Sequence, residues 1–345
     1  PPPVTDKLER ALDDIRRKWV PDRRLGVFEV TLVFVDTDRR VRQLQGVTSS
    51  TGARDALRRL AADASVAAEV TLLPNDSVGP DTAAIVTAAL APLLDAPAIG
   101  ARRVSEALHG EPFAVLERSE GKDWVRVRAP DGYHAWMHEG YLAIGPSAWA
   151  DDWVARATAR SLGAELLLDD GARLRLPLGA RVAQRKSGAL EAADGRAGTL
   201  HSGVVRLTGE LGAEARLLAP PEWALRWLGG APYAWGGRTE WGIDCSGLTQ
   251  ATYAARGLAL PRDADLQFLH GQGIPPVHDG AGYEAGDLLF FAEGGRVTHV
   301  ALWAGAGRIV HAALARGGVG TDEVFGRSPS ARRLAPRLVG VRRVR

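Results

Sequence analysis

Leu8, Leu12, Ile15 and Trp19 recur at helical spacing and predict an amphipathic helix near the start of the chain. Val27 to Val35 and Val41 to Val47 read as two strands, with Asp38, Arg39 and Arg40 supplying a charged turn. Helical spacing returns from Ala53 to Ala62 through Leu57 and Leu60, and Val70 to Leu73 is a short strand. Residues 1–80 therefore read as a small α/β module of the kind used for binding or docking, without a catalytic constellation. From 81 to 146 the pattern shortens to β runs: Pro112 to Glu117, Trp124 to Arg128 and His134 to Met137, separated by polar, glycine-bearing turns. Further β runs follow at Arg173–Leu176, Arg181–Ala183, Ala189–Glu191 and Gly203–Leu207, marking residues 147–219 as a separate β unit. Ala219-Pro220-Pro221 reads as a stiff joint. Beyond it, helices at Glu222–Leu228 and Cys245–Arg256 precede strands at Leu288–Phe291, Val297–Ala304 and Arg308–Ala312, the order of an α+β domain with an antiparallel sheet over 220–345.

Composition bounds the function. Hydrophobic residues make up 46% and charged residues 24% of 345, ordinary for a globular protein of two or three domains. Lys+Arg of 43 against Asp+Glu of 41 leaves a net charge of +2, too small to imply a nucleic-acid surface. The one basic concentration, from Arg332-Arg333 to Arg342-Arg343-Val344-Arg345, alternates with Leu334, Leu338, Val339 and Val341 and reads as a final strand with a solvated face. The best apolar run, Ala83 to Leu94, is broken by Thr87 and Pro92, so no membrane span is expected. The opening Pro1-Pro2-Pro3, without a methionine, reads as a processed or trimmed start. Among the histidines, His134 and His138 face one side of a strand but lack a third ligand, so no metal is expected. The glycines of Gly280-Ala281-Gly282 fit turns and not a phosphate loop, and no cofactor is expected.

Cys245 is the only cysteine and cannot form an intramolecular disulfide. Leu248, Ala251 and Ala255 follow it at helical spacing and Gly257 supplies a stop, which sets Cys245 at a helix N-terminus. The positive end of a helix favours a thiolate, so a lowered thiol pKa is expected. Two strand-like runs downstream carry His299 and His311. A helix-borne cysteine followed by two strand-borne histidines has the layout of a papain-like cysteine hydrolase, with His299 as base and His311 as its orienter. A small buried thiol with no chemistry is the other reading that the cysteine alone allows.

Six ordered blocks reach further: Tyr233-Ala234-Trp235-Gly236-Gly237, Asp244-Cys245-Ser246-Gly247-Leu248, Leu260-Pro261-Arg262, Gly286-Asp287-Leu288-Leu289-Phe290-Phe291, Thr298-His299-Val300-Ala301 and Val310-His311-Ala312. Together they resemble the NlpC/P60 family of bacterial cell-wall cysteine peptidases, from about Pro220 onward. The chain departs from that family at Asp263, where a small hydroxyl residue is expected, whereas Gln267 fits. Gly110 to Leu116, Asp123 to Val127 and Gly132-Tyr133-His134-Ala135-Trp136 resemble a bacterial SH3 domain over 81–146, and 147–219 reads as a second, diverged SH3-like barrel.

The resemblance implies hydrolysis of the γ-D-glutamyl–diamino acid bond in peptidoglycan stem peptides, with L-Ala-γ-D-Glu-diamino acid peptides as partners. It implies Cys245, His299 and His311 as a triad. The Cys245 N–H and the Tyr233 hydroxyl are the expected oxyanion donors. Asp244, Ser246, Trp235, Tyr133 and Glu106 are the expected substrate-binding residues. Asp244 would meet a free L-Ala ammonium, with Tyr133 at a turn and Glu106 on the preceding loop; a simple helix cap is its alternative. An amidase cutting the muramoyl–alanine bond and a non-catalytic wall-peptide-binding protein are the rival functions. The resemblance points to the bacterial envelope or secretion, with the cytoplasm as the other compartment.

Overall fold

The structure, a computed structural model, describes residues 4–35, 40–121 and 123–345. The Pro1-Pro2-Pro3 start and the charged turn read at Asp38 and Arg39 lie outside the described residues.

In the N-terminal module, the helix Val4–Trp19 precedes the antiparallel strands Phe28–Val35 and Arg40–Thr48. The helix Thr51–Asp63 then carries the chain to Ala67–Leu72, which pairs parallel to the second strand. A parallel pair needs such a crossover, and the helix supplies it. Leu12, Phe28, Leu44, Leu57 and Val70 form the core between helices and sheet.

A seven-stranded sheet follows, opening with the pair of short strands Ala83–Val86 and Leu90–Leu94. The runs expected near Pro112, Trp124 and His134 are strands Pro112–Arg118, Trp124–Arg128 and His134–His138. Glu106 lies within the strand Arg103–Leu108, not on a loop, because alternating residues there pack against the core through Ala107. In residues 159–207 the first and last strands, Ala159–Leu168 and Ala197–Leu207, pair directly and close a small sheet on itself.

Two helices absent from the sequence reading, Ser147–Arg156 and Thr208–Arg216, flank that second sheet. The proline joint is also corrected: Pro220 and Pro221 begin the helix Pro220–Leu228. The first helical turn needs no N–H from proline, and Glu222 caps the free Ala219 N–H at 3.2 Å. The C-terminal basic run divides into a helix, Pro329–Leu334, and the strand Leu338–Arg343.

The C-terminal domain is α+β. Its antiparallel sheet runs Gln272–Ile274, Leu338–Arg343, Leu288–Glu293, Arg296–Gly305, Arg308–Ala313, Gly318–Glu323. The helices Pro220–Leu228 and Cys245–Ala254 cover one face, joined to it by Trp223, Leu248, Phe290, Leu302 and Val310. Helix and histidine-bearing strands are thereby locked together by apolar burial at the centre of the domain.

Candidate active site

A short hairpin, Arg238–Thr239 with Gly242–Ile243, delivers the chain to the central helix. Asp244 is extended and caps it, its Oδ1 accepting from the Gly247 N–H at 2.7 Å. Gly247 is demanded by space: a Cβ there would sit 2.2 Å from the Gly237 carbonyl oxygen. Gly257, with φ of +78°, follows the helix end as expected. Cys245 is the first helical residue and is buried, with the Ser246 and Val300 backbone amides nearby acting to lower its thiol pKa.

The expectation of a lowered thiol pKa is reversed. Burial pushes Cys245 up to about 12, and the Asp244 charge adds to the rise. Those two effects outweigh the backbone donors at the helix terminus.

The histidines form a chain. His311 Nε2 lies 3.0 Å from Asp322 Oδ2, and His311 Nδ1 lies 2.8 Å from His299 Nε2. Arg316 Nη1 donates to the other Asp322 oxygen at 2.6 Å. A carboxylate only accepts, so His311 must carry its proton on Nε2 and accept at Nδ1. His299 then donates from Nε2, which leaves its Nδ1 with the free lone pair. Asp322, two bonds of relay away, thereby fixes the tautomer that a general base requires. Burial lowers His299 to about 3, helped by His311 and Arg333, and burial also lowers His311 against the opposing pull of Asp322. At neutral pH the residues are a thiol and two neutral imidazoles.

Asp244 is heavily engaged. Its Oδ2 accepts from the Gly236 N–H at 2.9 Å and from Arg262 Nη2 at 2.7 Å. Its Oδ1 accepts from Gly247, from Arg262 Nη1 at 3.1 Å and from the Ser246 hydroxyl at 3.2 Å. Five donors converge on a group with about four acceptor positions. Ser246 Oγ accepts in turn from Arg262 at 2.9 Å, and Arg262 Nε donates to Ser105 Oγ at 2.8 Å across to the seven-stranded sheet. Gln267 holds the same corner by donating to the Ser246 and Pro261 carbonyl oxygens.

Tyr233 is half-buried, and burial followed by the Cys245 charge raises it to about 12. Trp235 stands 63% exposed at the rim, while its carbonyl oxygen accepts from Arg103 at 3.0 Å. Glu106 is buried, with one oxygen on Arg103 at 2.7 Å and the other on the Arg238 N–H at 3.0 Å. Tyr133 is buried too, although its turn suggested exposure, and burial followed by the nearby Asp263 charge pushes its phenol up. The structure thus brings Asp244, Ser246 and Arg262 into one hydrogen-bonded cluster, tied by Ser105 to the strand that carries Glu106. Tyr133 joins the neighbouring loop at Asp263.

Sequence reasoning missed three residues here. Asp322 follows His311 by eleven positions, and a strand after the second histidine was its only signal. Arg262 stood in a quoted motif without a role. Arg24, from the N-terminal module, donates to Asp263 at 2.9 Å and to both oxygens of Asp265 at 2.7 and 2.8 Å. The unusual Asp263 was the signal that a cation would meet it. His138 accepts from the Gly140 N–H, and no metal-binding group of side chains occurs among the described residues.

Residues 230–338 match the NlpC/P60 family, and residues 93–142 match the bacterial dipeptidyl-peptidase SH3 domain. A gamma-D-glutamyl-L-lysine dipeptidyl-peptidase of Bacillus subtilis is 47% identical over 79 residues, 22% of this chain and 25% of that protein. The chain thus spans about a quarter of the length of that relative. Dipeptidyl-peptidase 6 of Lysinibacillus sphaericus is 29% identical over 245 residues, 64% of this chain and 84% of its own. The crystal structure of an NlpC/P60 family protein from Bacillus cereus superposes with a TM-score of 0.59 at 20% identity, over 76% of this chain and 99% of that one.

Proposed function

The chain carries an NlpC/P60 domain and a bacterial dipeptidyl-peptidase SH3 domain, and from that premise we propose that it is a cysteine peptidase of cell-wall peptides. Its substrate is the γ-D-glutamyl–diamino acid bond of peptidoglycan stem peptides, and residues 147–219 are a second, diverged SH3-like unit. The observation that carries the reading is the Asp322–His311–His299 chain beside a helix-borne cysteine.

His299 Nδ1 takes the Cys245 proton as the sulfur attacks the γ-glutamyl carbonyl. Because the resting thiol is buried and protonated, transfer and attack occur together, with substrate in place. The Cys245 N–H and the Tyr233 hydroxyl, still protonated at neutral pH, support the oxyanion. His299 returns the proton to the leaving amine, and water then hydrolyses the thioester.

Selection for stem peptides with a free L-Ala amine is supported by the acidic groups on the SH3 side. Glu106 keeps acceptor positions beyond its two donors, and the Tyr133 oxygen keeps a lone pair. Asp244, whose acceptor positions are filled, contributes by orienting Ser246 and Arg262. Trp235 lines the rim where the stem peptide leaves.

Mass spectrometry of products from L-Ala-γ-D-Glu-diamino acid peptides tests the reading. The expected products are L-Ala-γ-D-Glu and the released diamino acid, with none from Cys245→Ala. A muramoyl–alanine cut, or turnover by Cys245→Ala, would overturn it.

A further inference from the structure

A cavity of about 470 Å³ lies behind the catalytic helix, where that helix, the SH3 domain and the second sheet meet. Its lining includes Glu111 and Phe113 from the SH3 side, Arg160 and Arg181 from the second sheet, and Gln250 and Ala251 from the helix. Cys245, His299, Tyr233 and Trp235 are not in its wall, whereas Glu106, Tyr133 and Arg262 are, so it lies behind the reacting groups and shares one wall with the substrate-binding cluster. Its volume is that of a small-molecule pocket, and most of its surface is apolar through residues such as Leu178, Leu211 and Trp223.

Arg160, Arg181 and Gln250 keep unused hydrogen-bonding capacity at its wall. Arg160 Nη1 donates to the carbonyl oxygens of Ala157 and Ala159, leaving Nε and Nη2 free for a ligand. Arg181 makes no side-chain hydrogen bond among the described residues, and the one carboxylate whose charge acts on it and on Arg160 is Glu111. Glu111 itself is held by two hydrogen bonds from Arg238 at 2.9 and 3.0 Å and by one from the Leu108 N–H at 2.9 Å. Burial lowers Arg160 to about 10 and the charge of Arg181 lowers it further. Two partly buried cations held near each other gain from an anion between them. Gln250 Oε1 is buried with no partner, although its Nε2 donates to the Leu260 carbonyl oxygen at 2.9 Å. That acceptor calls for an N–H or O–H donor.

We propose that this cavity is a binding site for a small N-acyl amino acid. The carboxylate sits on Arg160 and Arg181, the amide N–H meets Gln250 Oε1, and the acyl chain lies along Leu178, Leu211 and Trp223. Such a ligand bridges both β units to the catalytic helix without touching Cys245. The site is independent of which bond the enzyme cuts, and its test needs no turnover.

Titration calorimetry on the full chain carrying Cys245→Ala, with N-octanoylglycine as probe, measures it directly. Binding at micromolar to sub-millimolar concentration is expected. Octanoate, which lacks the N–H, should bind several-fold more weakly, and the methyl ester of N-octanoylglycine at least tenfold more weakly. Arg160→Gln with Arg181→Gln should cost at least tenfold, and Ala251→Leu, which fills the cavity from the helix, should abolish binding while both variants keep the parent circular dichroism spectrum. Equal affinity of acid and ester, retention of binding in either variant, or no heat up to millimolar probe would overturn the proposal.

Discussion

At Cys245, burial and the Asp244 carboxylate work against the helix terminus, and the sulfur rests as a thiol. The rate of iodoacetamide alkylation should therefore keep climbing above pH 9, past the ordinary thiol value of about 8.5. A plateau near neutrality would mean a resting thiolate–imidazolium pair instead. Asp322 offers a sharper test, because Arg316 fixes which of its oxygens faces His311. In Asp322→Asn the amide oxygen stays on Arg316 and the NH2 turns to His311, which inverts both tautomers and puts a hydrogen on His299 Nδ1. We expect kcat to fall on the order of 10²-fold or more with KM little changed; an unchanged kcat in steady-state assays would refute the relay. The placement of Cys245, His299 and His311 was legible because a helix start and two strand-borne histidines leave local patterns. Asp322 was not. It reaches His311 diagonally across a hairpin in which His311 stands opposite Gly320, and that register cannot be read from spacing.

Among the elements, the catalytic helix depends most on its cap. Asp244 and Arg262 are both buried and hydrogen-bonded to each other. Asp244→Asn strands the guanidinium, and breaking one partner of such a pair costs about 3–5 kcal/mol. Urea titration should show the unfolding free energy lowered by that amount, and a loss below about 1 kcal/mol would show the pair to be ornamental. The helix itself was readable from Leu248, Ala251 and Gly257. The start at Pro220 was misread because proline-rich linkers and helix N-termini share a composition; only Glu222, three residues past Ala219, distinguishes them. The helix Ser147–Arg156 was overlooked because its buried stripe is only Ala150 and Trp153, too short to establish a period.

Across the whole molecule, the N-terminal module is seated on the enzyme through the Asp22–Gly26 turn. The Arg24 carbonyl oxygen accepts from the His134 N–H at 2.9 Å, Glu29 pairs with Arg126, and Val27 and Leu73 pack on Leu116. The Arg24 guanidinium then reaches the peptidase loop at Asp263 and Asp265. This docking was invisible in the sequence because its partners lie some 240 residues apart. Arg24→Ala leaves Asp263 facing Tyr133 with Arg262 as its only remaining cation among the described residues and should raise KM for free stem peptides several-fold, with kcat less affected. Adding Asp263→Ser should return KM toward the parent value; a double variant no better than the single one would argue against the pairing. The Arg24–Asp263 bond also sets a rule of inheritance. A relative with a hydroxyl at the position of Asp263 leaves the arginine only Asp22 and Asp265, and a chimera that borrows Asp263 without Arg24 imports a poorly matched charge beside its active site. The two segments are transferable between proteins only as a set.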